Sequence, residues 1–217
     1  MKSPKFITHQ PYCPNEPLTA VQKLRKVLGQ RRSVRDFSDE GVPSALIEEV
    51  VACASTAPSG ANKQPWRFVC VSNPKLKKKI RMAAEVEERE FYENRASDQW
   101  KDDLAPLGTD ADKMFLETAP WLIVVFRLVK DDDGGNVYYS DESVGIATGM
   151  LLAAAQIAGL ATLTHTPSPM KFLADVLGRP DNERAYMLIP IGWPAARCEV
   201  PAAAVIKKPL SQVMVNR

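Results

Sequence analysis

No stretch of this sequence runs long enough without a polar interruption to cross a bilayer, and the N-terminal Met1-Lys2-Ser3-Pro4-Lys5-Phe6 has no apolar h-region. A membrane span is therefore not expected, and a cytoplasmic protein is. Cysteine is sparse: Cys13, Cys53, Cys70 and Cys198 show no C-x-x-C spacing and have no nearby histidine partners, which argues against zinc, or any metal centre, and against a disulfide framework. They are expected to be reduced, mostly buried thiols. An excess of one charge is also lacking. Lys and Arg total 28 against 26 Asp and Glu, a net +2, so no field large enough to draw nucleic acid or an anionic membrane arises. The expected ligand is small, and 217 residues of ordinary composition set one domain as the default.

Residues 1–20 carry Pro4, Pro11, Pro14 and Pro17 with little periodicity and read as an N-terminal arm, leaving 21–217 as the domain. Apolar residues at Leu46, Ile47, Val50, Val51 and Ala54 follow helical spacing and stop ahead of Pro58. Trp66–Val71 and Trp121–Arg127 are short β-branched and aromatic runs that read as central strands. Between them lie a long charged helical pattern, Lys75–Arg95, and a looser segment with Pro106 and Gly108; residues 85–113 are a candidate lid. Ser143–Ala158 is apolar on nearly every face and ahead of Gly159, which predicts a buried central helix. Strand-like runs recur at Leu160–Thr166 and Tyr186–Gly192, with a short helix at Met170–Leu177. This irregular alternation predicts an α+β fold with a mixed sheet.

Two local patterns carry chemistry. Arg31-Arg32-Ser33-Val34-Arg35 places three guanidinium groups and a hydroxyl within five positions, suited to a phosphate dianion, although such a run alone is more often a solvated basic turn. Ala57-Pro58-Ser59-Gly60-Ala61-Asn62-Lys63-Gln64-Pro65-Trp66 turns tightly from a helix end into a strand, and its small residues let a flat ligand approach the backbone. At this separation the pair resembles the FMN-binding start of the nitroreductase superfamily. Thr164-His165-Thr166-Pro167, Leu177-Gly178-Arg179-Pro180 and Lys207-Lys208-Pro209-Leu210 look like later signatures of its iodotyrosine deiodinase branch, so the resemblance covers nearly everything from about Gln30 onward.

The resemblance implies a nitroreductase-like sheet surrounded by helices in an interlocked homodimer, with FMN held at the interface by Arg31, Arg32, Ser33, Arg35, Pro58, Ser59, Gly60, Thr164, His165, Thr166 and Lys207. Thr164 matches a threonine whose hydroxyl approaches flavin N5. A lid Glu, a Tyr four residues later and a Lys ahead of a Thr-Ala-Pro match Glu88, Tyr92 and Lys113 before Thr118-Ala119-Pro120. Glu88 and Tyr92 at i and i+4 share a helix face. By the resemblance Glu88 holds a substrate ammonium, Lys113 its carboxylate, Tyr92 braces both, and the Ala61 amide binds a phenolate oxygen. Within Glu85-Val86-Glu87-Glu88-Arg89-Glu90 any one glutamate is by itself more often a surface charge. The implied activity is reductive dehalogenation of halotyrosines, or of another small aromatic, with electrons from NAD(P)H or a separate reductase. A broad nitroreductase or quinone reductase, and a flavin carrier or flavin-degrading relative, are the alternatives. Two departures stand out: Lys207 replaces the more usual arginine, and His165 stands where many relatives have threonine.

Overall fold

The computed structural model describes residues 4–217, so Met1, Lys2 and Ser3 of the expected arm lie outside it. The chain divides into two units, one ending at Arg31 and one running Arg32–Arg217. The first contains helix α1 (Pro17–Leu28), which therefore begins inside the expected arm. Pro17 sits in its first turn, where a proline needs no hydrogen bond and starts a helix rather than breaking one. Leu18, Val21 and Leu24 then supply helical spacing.

The second unit holds helices α2 (Ser44–Ser55), α3 (Pro74–Glu90), α4 (Asp98–Leu104), α5 (Phe115–Thr118), α6 (Ser140–Ile157) and α7 (Lys171–Leu177), and strands β1 (Trp66–Val71), β2 (Trp121–Leu128), β3 (Ala161–Thr162) and β4 (Glu183–Gly192). The sheet runs β1-β2-β4-β3 with every strand pair antiparallel; the parallel component is an isolated bridge between Ser33 and Thr162. The α+β expectation holds. β2 is central as expected, whereas β1 is at an edge among the described strands, and the run expected from Leu160 to Thr166 shortens to two strand residues plus a bridge from His165 to Leu188.

Alternation along β2 makes two cores. Leu122, Val124 and Phe126 join Ile80 and Ala84 of α3, Leu116 of α5 and Leu173 of α7, while Ile123 and Val125 join Ile47, Val50 and Ala54 of α2 and Val144, Ala147, Leu151 and Ala155 of α6. Only one face of α6 is buried: Ile146 and Ile157 point outward, 47 % and 65 % exposed, so this helix is not enclosed within the chain. The thiols also differ from expectation. Cys13, Cys53 and Cys70 are exposed and Cys198 half-buried. Among the described residues no helix is long and apolar enough to cross a membrane.

The 85–113 segment is tethered at its root. Buried Lys77 on α3 donates to the carbonyls of Glu117 and Ala119 at 2.8 and 2.7 Å, and Arg81 pairs with both Glu85 and Glu117. Beyond α3 the chain makes a π-helical turn (Phe91–Arg95), continues through α4, turns at left-handed Gly108 (φ 58°) and returns to α5.

Candidate active site

Along the α3 end and the π turn, Glu88 and Tyr92 face one cavity, and the returning chain delivers Lys113 to it. The Lys113 backbone N–H donates to Glu85 Oε1 at 3.1 Å, which pins the return to α3. Its ammonium donates to the Asp110 carbonyl, lies 3.2 Å from Glu88 Oε2 and is 6.0 Å from the Tyr92 ring centre. Both partners are well shielded, with side chains 6 % and 13 % exposed. Burial, with the charges of Glu88 and Asp110 adding to it, raises the Tyr92 phenol above its ordinary pKa, so it stays a neutral donor.

The sheet supplies the opposite wall. His165 is locked by reciprocal backbone bonds with Leu188, both 2.9 Å, and alternation then buries Leu163 and His165 while exposing Thr164 and Thr166. The His165 ring meets Phe115 edge-on at 5.9 Å, and its Nε2 is 3.8 Å from Glu88 Oε1. Burial foremost, then the Lys113 and Arg35 charges, push the imidazole pKa down to about 3, so the ring is neutral and the contact is not an ion pair. Arg35 lines the same cavity and has no ion pair or hydrogen bond to its side chain among the described residues. The cavity, about 440 Å³, matches a small aromatic ligand.

The Ala57–Trp66 turn is built separately. Gly60–Asn62 form a single helical turn in which Ala61 and Asn62 take left-handed φ of 50° and 54°, and Gln64 just beyond it takes 48°. For side chains other than glycine such backbone costs on the order of 1 kcal/mol each and persists only when over-determined. Here Ser59 Oγ accepts from the Gln64 N–H at 2.9 Å, Ser59 O from Asn62, and Ser143 Oγ from Gly60 at 3.3 Å. The Ala61 N–H has no acceptor among the described residues. A Cβ on Gly60 would lie 2.5 Å from the Tyr138 carbonyl oxygen, so a close protein contact by itself requires glycine here.

The expected residues thus separate. Arg35, Glu88, Tyr92, Lys113, Thr164, His165 and Thr166 line one cavity; Arg32, Ser33, Pro58, Ser59, Gly60, Ala61 and the exposed Lys207 do not, and Arg31 belongs to the first unit. Sequence reasoning missed Arg95, Trp100, Thr109 and Phe115 on the cavity wall and the anchoring of Lys113 by Glu85 and Asp110. The signal for Trp100 was available: an aromatic in a charged, loosely patterned segment, which here packs edge-on to Phe91 at 4.8 Å.

The model of the nitroreductase family matches residues 28–193. The chain is 51 % identical over 206 residues to an iodotyrosine deiodinase of Haliscomenobacter hydrossis, covering 92 % of this chain and 93 % of the relative. It is 42 % identical over 216 residues to human iodotyrosine deiodinase 1, covering 96 % and 73 %. A crystal structure of oxidized iodotyrosine deiodinase bound to FMN and 3-iodo-L-tyrosine superposes with a TM-score of 0.74 at 33 % identity, over 89 % of this chain and 97 % of that one.

Proposed function

The chain belongs to the nitroreductase family, and on that premise we propose that it is an FMN-dependent oxidoreductase that removes halogen reductively from halotyrosines. The observation that carries the substrate class is the shielded Glu88–Lys113 pair, 3.2 Å apart over Tyr92 in a cavity of amino-acid size. A zwitterion can replace that single pair with two, its ammonium at Glu88 and its carboxylate at Lys113. A neutral Tyr92 phenol braces both without adding a charge.

The residues fit a flavin mononucleotide. Arg35 and the Ala61 N–H lack acceptors among the described residues, and Arg31, Arg32, Ser33 and Lys207 add cationic and hydroxyl donors for its phosphate. When bound, FMN supplies the two electrons of the reaction. 3-Iodotyrosine takes up those electrons and a proton, its C–I bond breaks, a C–H bond forms, and tyrosine and iodide leave. Thr164 would offer its hydroxyl to a bound flavin, and Thr166, exposed on the same face, would line the same wall. Ala61 offers its N–H to the phenolate oxygen, favouring halotyrosine, whose halogen lowers the phenol pKa. Pro58, Ser59 and Gly60 shape that turn.

A homodimer completes the site in this reading, a second copy contributing the Ala57–Trp66 turn that does not line the cavity of its own chain. Outward Ile146 and Ile157 on α6 and exposed Val213 and Met214 near the C-terminus give such a partner apolar surface. Re-reduction by NAD(P)H directly or by a separate reductase is distinguished by whether NAD(P)H alone sustains turnover.

The test is titration of the FMN-loaded protein with 3-iodotyrosine while flavin fluorescence is followed, tyrosine serving as control, and then reduction with dithionite. Quenching by iodotyrosine followed by equal release of tyrosine and iodide is the expected result. Absence of quenching, with fast reduction of nitroaromatics, would replace this reading with a general nitroreductase.

A further inference from the structure

His165 presents a buried polar atom with nothing to bond. Its side chain is 10 % exposed, and its Nε2 has no hydrogen-bond partner among the described residues. It lines the cavity and faces Glu88 Oε1 at 3.8 Å, just outside hydrogen-bond distance. The ring has little freedom to turn away, since both backbone groups of residue 165 are tied to Leu188 and Phe115 abuts the ring edge. An orphaned buried nitrogen is costly and calls for a partner.

The state of Glu88 explains what that partner is. Its other oxygen is engaged by Lys113 at 3.2 Å. In the halotyrosine reading, on which this inference rests, the ligand carboxylate draws Lys113 away and the ligand ammonium replaces it. We infer that His165 is a positioning residue for Glu88: as Lys113 is drawn off, the imidazole Nε2–H donates to Glu88 Oε1 and holds the carboxylate in place for the ammonium.

Imidazole suits this task because it is uncharged here. A cation at position 165 would compete with the ligand ammonium for Glu88, whereas a neutral donor orients the carboxylate and leaves its charge available. The groups facing the ring are Glu88 from α3, Lys113 from the return before α5, and Arg35, with Tyr92 beyond; burial and the two cations together keep the ring unprotonated.

The chain has two histidines, His9 and His165, so histidine-¹⁵N labelling of the FMN-loaded protein gives two imidazole signal sets, and His165→Gln removes and assigns one. The His165 set should report a neutral Nε2–H form whose Nε2–H resonance moves when 3-iodotyrosine binds, and Glu88→Gln should abolish that movement. In binding, His165→Leu should weaken 3-iodotyrosine by about tenfold or more, the worth of a buried bond to a charged group, while His165→Gln, which keeps an N–H within reach, stays within about threefold of wild type. 2-Iodophenol, lacking ammonium and carboxylate, should bind all three proteins alike. In the Glu88→Gln background the His165→Leu effect should vanish. An imidazole signal indifferent to Glu88, equal losses for 2-iodophenol, or unweakened 3-iodotyrosine binding by His165→Leu would each overturn the assignment alone. A wild-type protein that binds no 3-iodotyrosine would overturn the halotyrosine reading, and this inference with it.

Discussion

Glu88→Gln is the sharpest perturbation of the site, because it keeps shape and removes one charge. Two effects of opposite sign follow. The ligand ammonium loses a charge-assisted contact, worth about 1.5–3 kcal/mol. Against that, wild-type binding must first open the Glu88–Lys113 pair, 3.2 Å apart with side chains 13 % and 6 % exposed, and the variant has no such pair to open. Relief from a pair this well shielded offsets about 1 kcal/mol at most, since its desolvation cost already consumes much of its attraction. The net loss is therefore about 0.5–3 kcal/mol, roughly 2- to 150-fold in Kd for 3-iodotyrosine. Flavin fluorescence titration measures it, with 2-iodophenol and a nitroaromatic as ligands that carry no zwitterion. Those two should bind or react as with wild type. Equal losses for all three would mean that the substitution disturbs the lid or the flavin, and the ammonium role would be abandoned.

Three other substitutions or conditions test the surrounding framework. Ala61→Gly should leave 3-iodotyrosine binding within about twofold of wild type and raise the denaturant midpoint slightly, because the contact is the N–H and glycine adopts φ 50° without strain; a large loss of binding would show that the side chain matters. Gly60→Ala should cost about 1–3 kcal/mol in urea unfolding and weaken FMN retention, since its Cβ meets the Tyr138 carbonyl oxygen at 2.5 Å; unchanged stability would show that the 138–139 loop yields freely. Stability should also fall with acid. With the His165 pKa at about 3 in the folded protein against an ordinary 6.5, the unfolded chain binds more protons between those values. The contribution is complete above pH about 6.5 and is lost as pH falls toward 3, at up to about 1.4 kcal/mol per unit. Urea midpoints across that window should be flatter for His165→Gln, and parallel curves would refute the buried neutral ring.

What was legible in the sequence was local. Glu88 and Tyr92 fall at i and i+4, the Ala57–Trp66 turn is contiguous, and Trp121–Arg127 is a short apolar run, so each could be placed from neighbouring residues alone. What was not legible depends on contacts distant in the chain. The Lys113 backbone is anchored by Glu85, 28 residues away, and nothing in a run of four glutamates marks that one as the anchor. At Gly60 the Tyr138 carbonyl, 78 residues further along, adds a demand for glycine that the motif alone did not show. β1 has the composition of a central strand but lies at an edge, since hydrophobic content reports burial against helices and not the number of neighbouring strands. A lone histidine carries no spacing at all, so His165 could be noted as a departure but not given a partner.

The charges of α3 sort by whether they can be exchanged. Lys77 is spent on two carbonyls, Arg81 on Glu85 and Glu117, and Arg95 closes the π turn on the Glu87 carboxylate and carbonyl. Each of these contacts holds the chain to itself. Glu88 with Lys113 differs: the pair faces the cavity, and Lys113 has the Asp110 carbonyl as a second acceptor when it leaves Glu88. Burying two charges for one mutual contact is poor economy for stability alone. It becomes favourable when a zwitterion converts one pair into two, and the segment carrying Glu88 is then most stable with ligand beneath it. In the halotyrosine reading the same arrangement would couple amino-acid binding to closure of the 85–113 segment. Proteolysis of that segment should slow when 3-iodotyrosine is added and remain unchanged with 2-iodophenol, because only the former supplies both charges.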